Sequence, residues 1–251
     1  MSGSRFGIVL IALVAASCDS EPTPFTVETD AHWSTGVSLP AGWMGVAAAE
    51  LGGAIVVAGG ESEAGPSQRV YRLVPGATSW ERLADLPDVR VSARLVVSDG
   101  SLYLVGGMHL LPNNVHFADR SVLVWDPAGG RWIERASFPD LRDGDAVGVP
   151  GGIVVVGGGF GSTDHGGVFP GDSIVVYNAA ADRWTYAAPI QMPRRRPMAI
   201  AIDTRVHGFG GQPLEGIGTL LDIEIYDALD DTWSAGGQFA DYGQIVGQAY
   251  A

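Results

Sequence analysis

The sequence predicts an all-β repeat protein, and three observations carry that expectation. Glycine pairs at Gly59-Gly60, Gly106-Gly107, Gly158-Gly159 and Gly210-Gly211 each close an apolar run. Five tryptophans, Trp33, Trp80, Trp132, Trp184 and Trp233, alternate with those pairs. The step from Trp to the next glycine pair is 26 residues each time (33 to 59, 80 to 106, 132 to 158, 184 to 210), whereas the return steps of 21, 26, 26 and 23 vary. A fixed step beside a free one marks a repeat whose length changes fall in loops on one face, often the binding face.

Composition agrees with a β array. Gly makes up 36 of 251 residues and charged residues only 17%, below the roughly 25% of ordinary globular chains, which argues against disorder. The formal charge of -13 argues against nucleic acid as a partner, because neutralising phosphates takes a basic face. All 15 basic residues are Arg, a residue suited to bidentate contacts with carboxylates.

At the start of the chain, Arg5 precedes the apolar run Phe6 to Ala16 and the small residues before Cys18. This reads as a secretory signal over 1-17; the run is shorter than the about 20 residues that span a bilayer as a helix. Ala15-Ala16-Ser17-Cys18 resembles a bacterial lipoprotein cleavage box, in which the cysteine becomes the lipidated first residue of the mature chain. That places the protein in the bacterial cell envelope, exported and held to a membrane through its lipid anchor only. Residues 18-24 form the lipidated Cys and a polar tether, and 25-251 the repeat array. Cys18 is the single Cys, so no disulfide forms within the chain.

Phe25 to Trp33 reads as the tail of a repeat. Next come VAAAEL, SARLVV, DAVGV and MAIAI, strand-length runs rich in small residues, each leading through a tight turn at Gly52, Ser98, Pro150 or Asp203 into a second run. These are hairpin signals. The second runs, AIVVA, LYLV, IVVV and VHGF, are mostly continuous rather than alternating, so both of their faces should be covered. Sheets stacked face to face provide that cover, with the small-residue strand innermost.

The glycine pair at a strand end, the later Trp125-Asp126, Tyr177-Asn178 and Tyr226-Asp227, the repeat Trp and the following Pro together resemble kelch repeats over about Phe25 to Ala251. The first unit departs from the pattern, with Leu73-Val74 in the aromatic place. The resemblance implies a β-propeller of four-stranded blades. It gives about four complete blades plus partial end strands, in a ring expected to be incomplete and to self-associate through exposed edges and apolar faces. Among functions, it implies a protein- or glycan-binding module acting through the loop face. A second is a sugar-modifying enzyme resembling kelch-type sialic-acid epimerases. A copper oxidase resembling galactose oxidase is disfavoured, because its cofactor needs a Cys beside the copper and the one Cys lies at position 18.

Candidate ligand residues gather where the inner strands begin. Arg90, Arg142 and Arg196 stand three residues after Pro87, Pro139 and Pro193, while Trp43 takes that place after Pro40. Either the arginines clamp a carboxylate or sugar acid, or they bond carbonyls of the adjacent blade. Trp43 either stacks on a ligand ring or packs. His109, His116, Asp119, Asp164 and His165 fall in two neighbouring loops but match no metal-ligand spacing, and no metal or cofactor is expected. His207, in a strand place held elsewhere by Val or Tyr, reads as a hydrogen-bonded core residue. No nucleophile elbow, phosphate loop or zinc-protease motif occurs, so no catalytic residue is assigned.

Overall fold

The structure is a computed structural model that describes residues 34–110, 116–140, 144–158, 172–213 and 218–239. Cys18 and the leader, Arg142, Asp164 and His165 lie outside the described residues. The four complete repeats fall within one compact unit, Val37–Ala251.

Four antiparallel four-stranded sheets follow one another along the chain, and each is one blade. In blade one, β1 (Ala47–Leu51) and β2 (Ala54–Ala58) form a hairpin, β3 (Glu61–Ser62) and β4 (Gly65–Pro66) a small ribbon, and β5 (Val70–Leu73) and β6 (Glu81–Arg82) complete the order β1-β2-β5-β6. Blade two repeats this with β7 (Arg94–Ser98), β8 (Ser101–Val105), the ribbon β9 (Met108–Leu110) and β10 (His116–Ala118), then β11 (Val122–Asp126) and β12 (Arg131–Arg135). Blade three holds β13 (Asp145–Val149), β14 (Gly152–Val156), β15 (Ile174–Asn178) and β16 (Arg183–Ala187). In blade four, β17 (Arg194–Arg195) pairs with β20 (Gln212–Pro213), beside the sheet of β18 (Met198–Ile202), β19 (Arg205–Phe209), β21 (Asp222–Asp227) and β22 (Thr232–Gln238).

The four β1-type hairpins turn in two residues each, where the sequence places them. Gly52-Gly53 and Asp99-Gly100 have both residues at positive φ, the mirror-image turn whose twist matches paired strands. The first strand of each blade is innermost: β1 packs beside β7, β7 beside β13, and β13 beside β18. Small residues serve that crowding. A Cβ on Gly148 of β13 would stand 1.9 Å from the Val97 carbonyl oxygen of β7.

The second strands of blades two and three are covered on both faces, as expected, whereas β2 of blade one leaves Ile55 47% exposed. On β8, Leu102 and Leu104 join the core shared with blade one, while Tyr103 and Val105 join the core shared with blade three. On β14, Ile153 and Val155 face blade two, and Val154 and Val156 face blade four. On the outward side of blade four the pattern stops: Ile200 and Ile202 of β18 are 54% and 58% exposed.

The aromatic-Asp and Trp signatures are two ends of one outer hairpin. Trp125 pairs across strands with Trp132, Tyr177 with Trp184, and Tyr226 with Trp233, with ring centroids 5.1–5.4 Å apart. The acid or amide beside the first aromatic caps the turn: Asp126 accepts from the Ala128 and Gly129 N–H groups, Asn178 from Ala181, and Asp227 from Leu229.

Each repeat Trp also stitches its blade to the one before. Trp132, Trp184 and Trp233 donate their indole N–H to the carbonyls of Ala84, Ala136 and Ala188 (3.2, 2.8 and 2.8 Å), and each acceptor lies four residues after the preceding repeat Trp. Trp80 donates to Val37 (3.2 Å), four after Trp33, so the leading segment supplies blade one with what a preceding blade supplies to the others. At two joints the acceptor peptide is gripped on both sides. The Ala136 N–H donates to Asp182, which also takes the Tyr177 hydroxyl, and the Ala188 N–H donates to Asp231, which takes the Tyr226 hydroxyl.

One register differs from the sequence reading. The third glycine pair is Gly157-Gly158 rather than Gly158-Gly159, because Gly157 and Gly158 carry the positive φ values of 63° and 94° directly after β14. Three consecutive glycines allow either choice in sequence; the strand end decides.

Candidate functional site at the loop face

The approach to each inner strand pairs with the ribbon that follows the glycines, so both lie at one end of the blades. Met44 and Glu61 exchange backbone hydrogen bonds of 2.8 Å, Val91 and Met108 bonds of 3.0 and 2.8 Å, and Arg195 pairs with Gln212. One glycine in each pair makes this close approach possible: a Cβ on Gly59 would lie 2.3 Å from the Arg90 carbonyl oxygen.

The residue just before that approach points into its own blade, and its partner changes with it. In blade two it is Arg90, 4% exposed, which meets the Asp119 carboxylate and donates to the Ser121 hydroxyl (2.7 Å) and His109 Nε2 (2.6 Å). In blade four it is Arg194, which is fully buried. It donates to Glu224 (2.5 Å) and to the Gly210, Asp222 and Met192 carbonyls, while Glu224 also accepts from the Gln191 and Met192 N–H groups. In blade one the place belongs to Trp43, whose ring lies 5.4 Å from Tyr71 at 32°.

Counting from Pro193 leads to Arg196, but the equivalent of Arg90 is Arg194. The Gly158 N–H donates to the Arg194 carbonyl just as the Gly60 N–H donates to that of Arg90. Arg196 takes the place of Ser92 instead, and both adopt positive φ, 48° and 56°. Arg196 is exposed at the surface.

The protonated form of His109 is disfavoured. Burial pulls its pKa below the ordinary 6.5, and Arg90 lowers it further, against the opposing effects of the Asp88 carboxylate and the Val89 carbonyl. Asp119 also touches Nε2, but its charge is matched by Arg90. Nε2 lies between the Arg90 guanidinium, from which the neutral ring accepts, and the Asp119 carboxylate. His116 belongs to β10, opposite Leu110, and its side chain lies outside the described residues. His207 on β19 pairs across strands with Ile200 and Ile225 and is half-buried. Among the described residues, no group of three or more His, Cys, Asp or Glu is placed to hold a metal ion.

Two further groups lie at this end, the first not singled out by sequence and the second gathered around Trp43, which was. Arg94 and Asp145 are the first residues of β7 and β13. Arg94 donates to Asp145 (2.6 Å), and Asp145 also accepts from the Ala199 N–H of β18 (2.8 Å), so one carboxylate ties three inner strands together. Charged residues at the head of otherwise small apolar strands were the available signal. The second group is an open cleft of about 480 Å³ lined by Gly42, Trp43, Met44, Glu61, Ser62 and Glu63. Met44 is 51% exposed beside it.

Known proteins place this geometry. No family model matches the chain. It is 31% identical over 176 residues to Beta-scruin of Limulus polyphemus, covering 66% of this chain and 19% of that protein. It is 30% identical over 142 residues to Kelch-like protein 23 of Homo sapiens, covering 54% and 23%. Against Kelch-like protein terF of Aspergillus terreus it is 26% identical over 205 residues, covering 73% and 43%. This chain is a kelch-repeat β-propeller. The chain spans less than half the length of these curated relatives. The solved structure of YjhT matches the kelch fold with a TM-score of 0.66 at 16% identity, covering 80% of this chain and 67% of that one.

Proposed function

We propose that this kelch chain is an exported, lipid-anchored module that binds a protein or glycan partner through the loop face. One observation carries the reading. The joints between blades repeat with the same Trp-to-carbonyl bond, and the position before the inner strand is filled by a buried arginine–carboxylate pair in blades two and four, whereas in blade one it is Trp43 on Tyr71, beside an open cleft at the loop end. An open, aromatic-lined cleft at the loop end of a repeating frame is a place such a scaffold can use for recognition.

The reading is tested with a panel of glycans and peptides titrated against the full chain. Binding that is weakened at least tenfold by Trp43→Ala and unaffected by Tyr186→Ser, on an outer strand, supports it. Binding indifferent to loop-face substitution removes it, and exchange of sialic-acid epimers or anomers seen by NMR replaces it with the sugar-modifying enzyme. Anchoring is tested separately. Cys18→Ala should release the protein from membranes or block its maturation, and unchanged fractionation with an unlipidated mature N-terminus would exclude a lipid anchor.

A further inference from the structure

We infer that the cleft beside Trp43 receives an arginine- or lysine-bearing segment of a partner protein; this rests on the loop-face binding reading and names the partner's chemistry. The ring of Trp43 backs the cleft and is itself braced by Tyr71 at 5.4 Å, so an aromatic face is held in place rather than free to turn. Glu61 and Glu63 stand at the cleft, and among the described residues neither carboxylate has a hydrogen-bond or ion-pair partner. In blades two and four the equivalent interior place is filled by the chain's own arginine against Asp119 or Glu224. Blade one has no arginine there, and its carboxylates lie outside, on the ribbon. A guanidinium or ammonium entering from solvent meets what it binds best, a π face and unpaired carboxylates.

The chain's charge favours the same class of partner. Its formal net charge is -13 and it has no Lys, which draws in basic surfaces and repels acidic ones. The cleft is open rather than enclosed, and the exposed Met44 continues it onto the surface. An open cleft with a polarizable thioether at its rim suits a protein segment, whereas a small free cation is better held by an enclosed pocket.

The test is fluorescence anisotropy of the full chain with a labelled peptide of alternating Arg and Gly, beside its Glu-Gly counterpart, a neutral oligosaccharide and spermine. The Arg peptide should bind, Trp43→Ala should weaken it at least tenfold, and the pair Glu61→Gln/Glu63→Gln should do the same with the melting temperature unchanged. Asp230→Asn/Glu134→Gln, which removes two exposed carboxylates elsewhere, should change affinity less than twofold. Equal weakening by that control would show a diffuse field instead of a site and overturn the inference, as would spermine binding more tightly than the peptide. Preference for the acidic peptide or the oligosaccharide, lost with Trp43→Ala, would overturn it while leaving loop-face binding intact. If no probe responds to any loop-face variant, both fall.

Discussion

Arg194 and Glu224 hold each other where neither charge meets water, with side-chain exposures of 0% and 8%, so deleting one leaves the other buried and unpaired. Arg194→Leu should cost about 3–5 kcal/mol of stability in urea denaturation, and adding Glu224→Leu should recover much of that loss. A single-variant loss under about 1 kcal/mol would contradict the burial of this pair. His109 gives a pH signature. Its folded pKa lies below the ordinary imidazole value, so between the two the unfolded chain binds more protons and stability rises with pH. The penalty should be absent above about pH 6.5 and grow as pH falls toward the folded value. His109→Gln, which can still accept from Arg90, should flatten that slope in melts between pH 5 and 8. At this scale the sequence was partly legible. Trp43 and Arg90 do share one place in the repeat, but their partners come from distant strands, and the two-residue offset from Pro193+3 to Arg194 shows only when the backbone bonds are known.

The outer hairpin is where single elements become an assembly. Trp132, Trp184 and Trp233 each combine cross-strand ring packing with a bond to the previous blade. Trp184→Phe keeps the ring contact and loses the donor, so it should cost about 0.5–1.5 kcal/mol. Trp184→Ala loses both and should cost about 3–5 kcal/mol. Equal losses by chemical denaturation would mean that the indole N–H carries most of the effect. Strand order and hairpin turns were readable from sequence because small inner strands, two-residue turns and doubly apolar second strands each follow from local sterics and burial. The ribbons β3–β4 and β17–β20 were not, being two residues per strand and held by the neighbouring approach segment rather than by any pattern of their own.

Because the cores of the described residues are each shared by two successive blades, stability should be local along the array. Ile174→Ala, in the core between blades three and four, should cost about 2–5 kcal/mol. It should speed amide exchange in those two blades while β1 and β2 keep their wild-type protection; a uniform rise across all blades would show that the array unfolds as one unit. The repeat itself was legible at this scale through the Trp and glycine spacing. Exposed apolar faces on the end units were expected from the repeat count, but that Ile200 and Ile202 carry one of them was not, because an apolar strand reads the same whether or not a neighbour covers it. The acceptor in every joint is a main-chain oxygen, that of Val37, Ala84, Ala136 or Ala188, and any residue type supplies one. That hydrogen bond therefore places no demand on residue type next door, so a gene that duplicates or loses a module has only the packed core and the side-chain bonds of the joint to match.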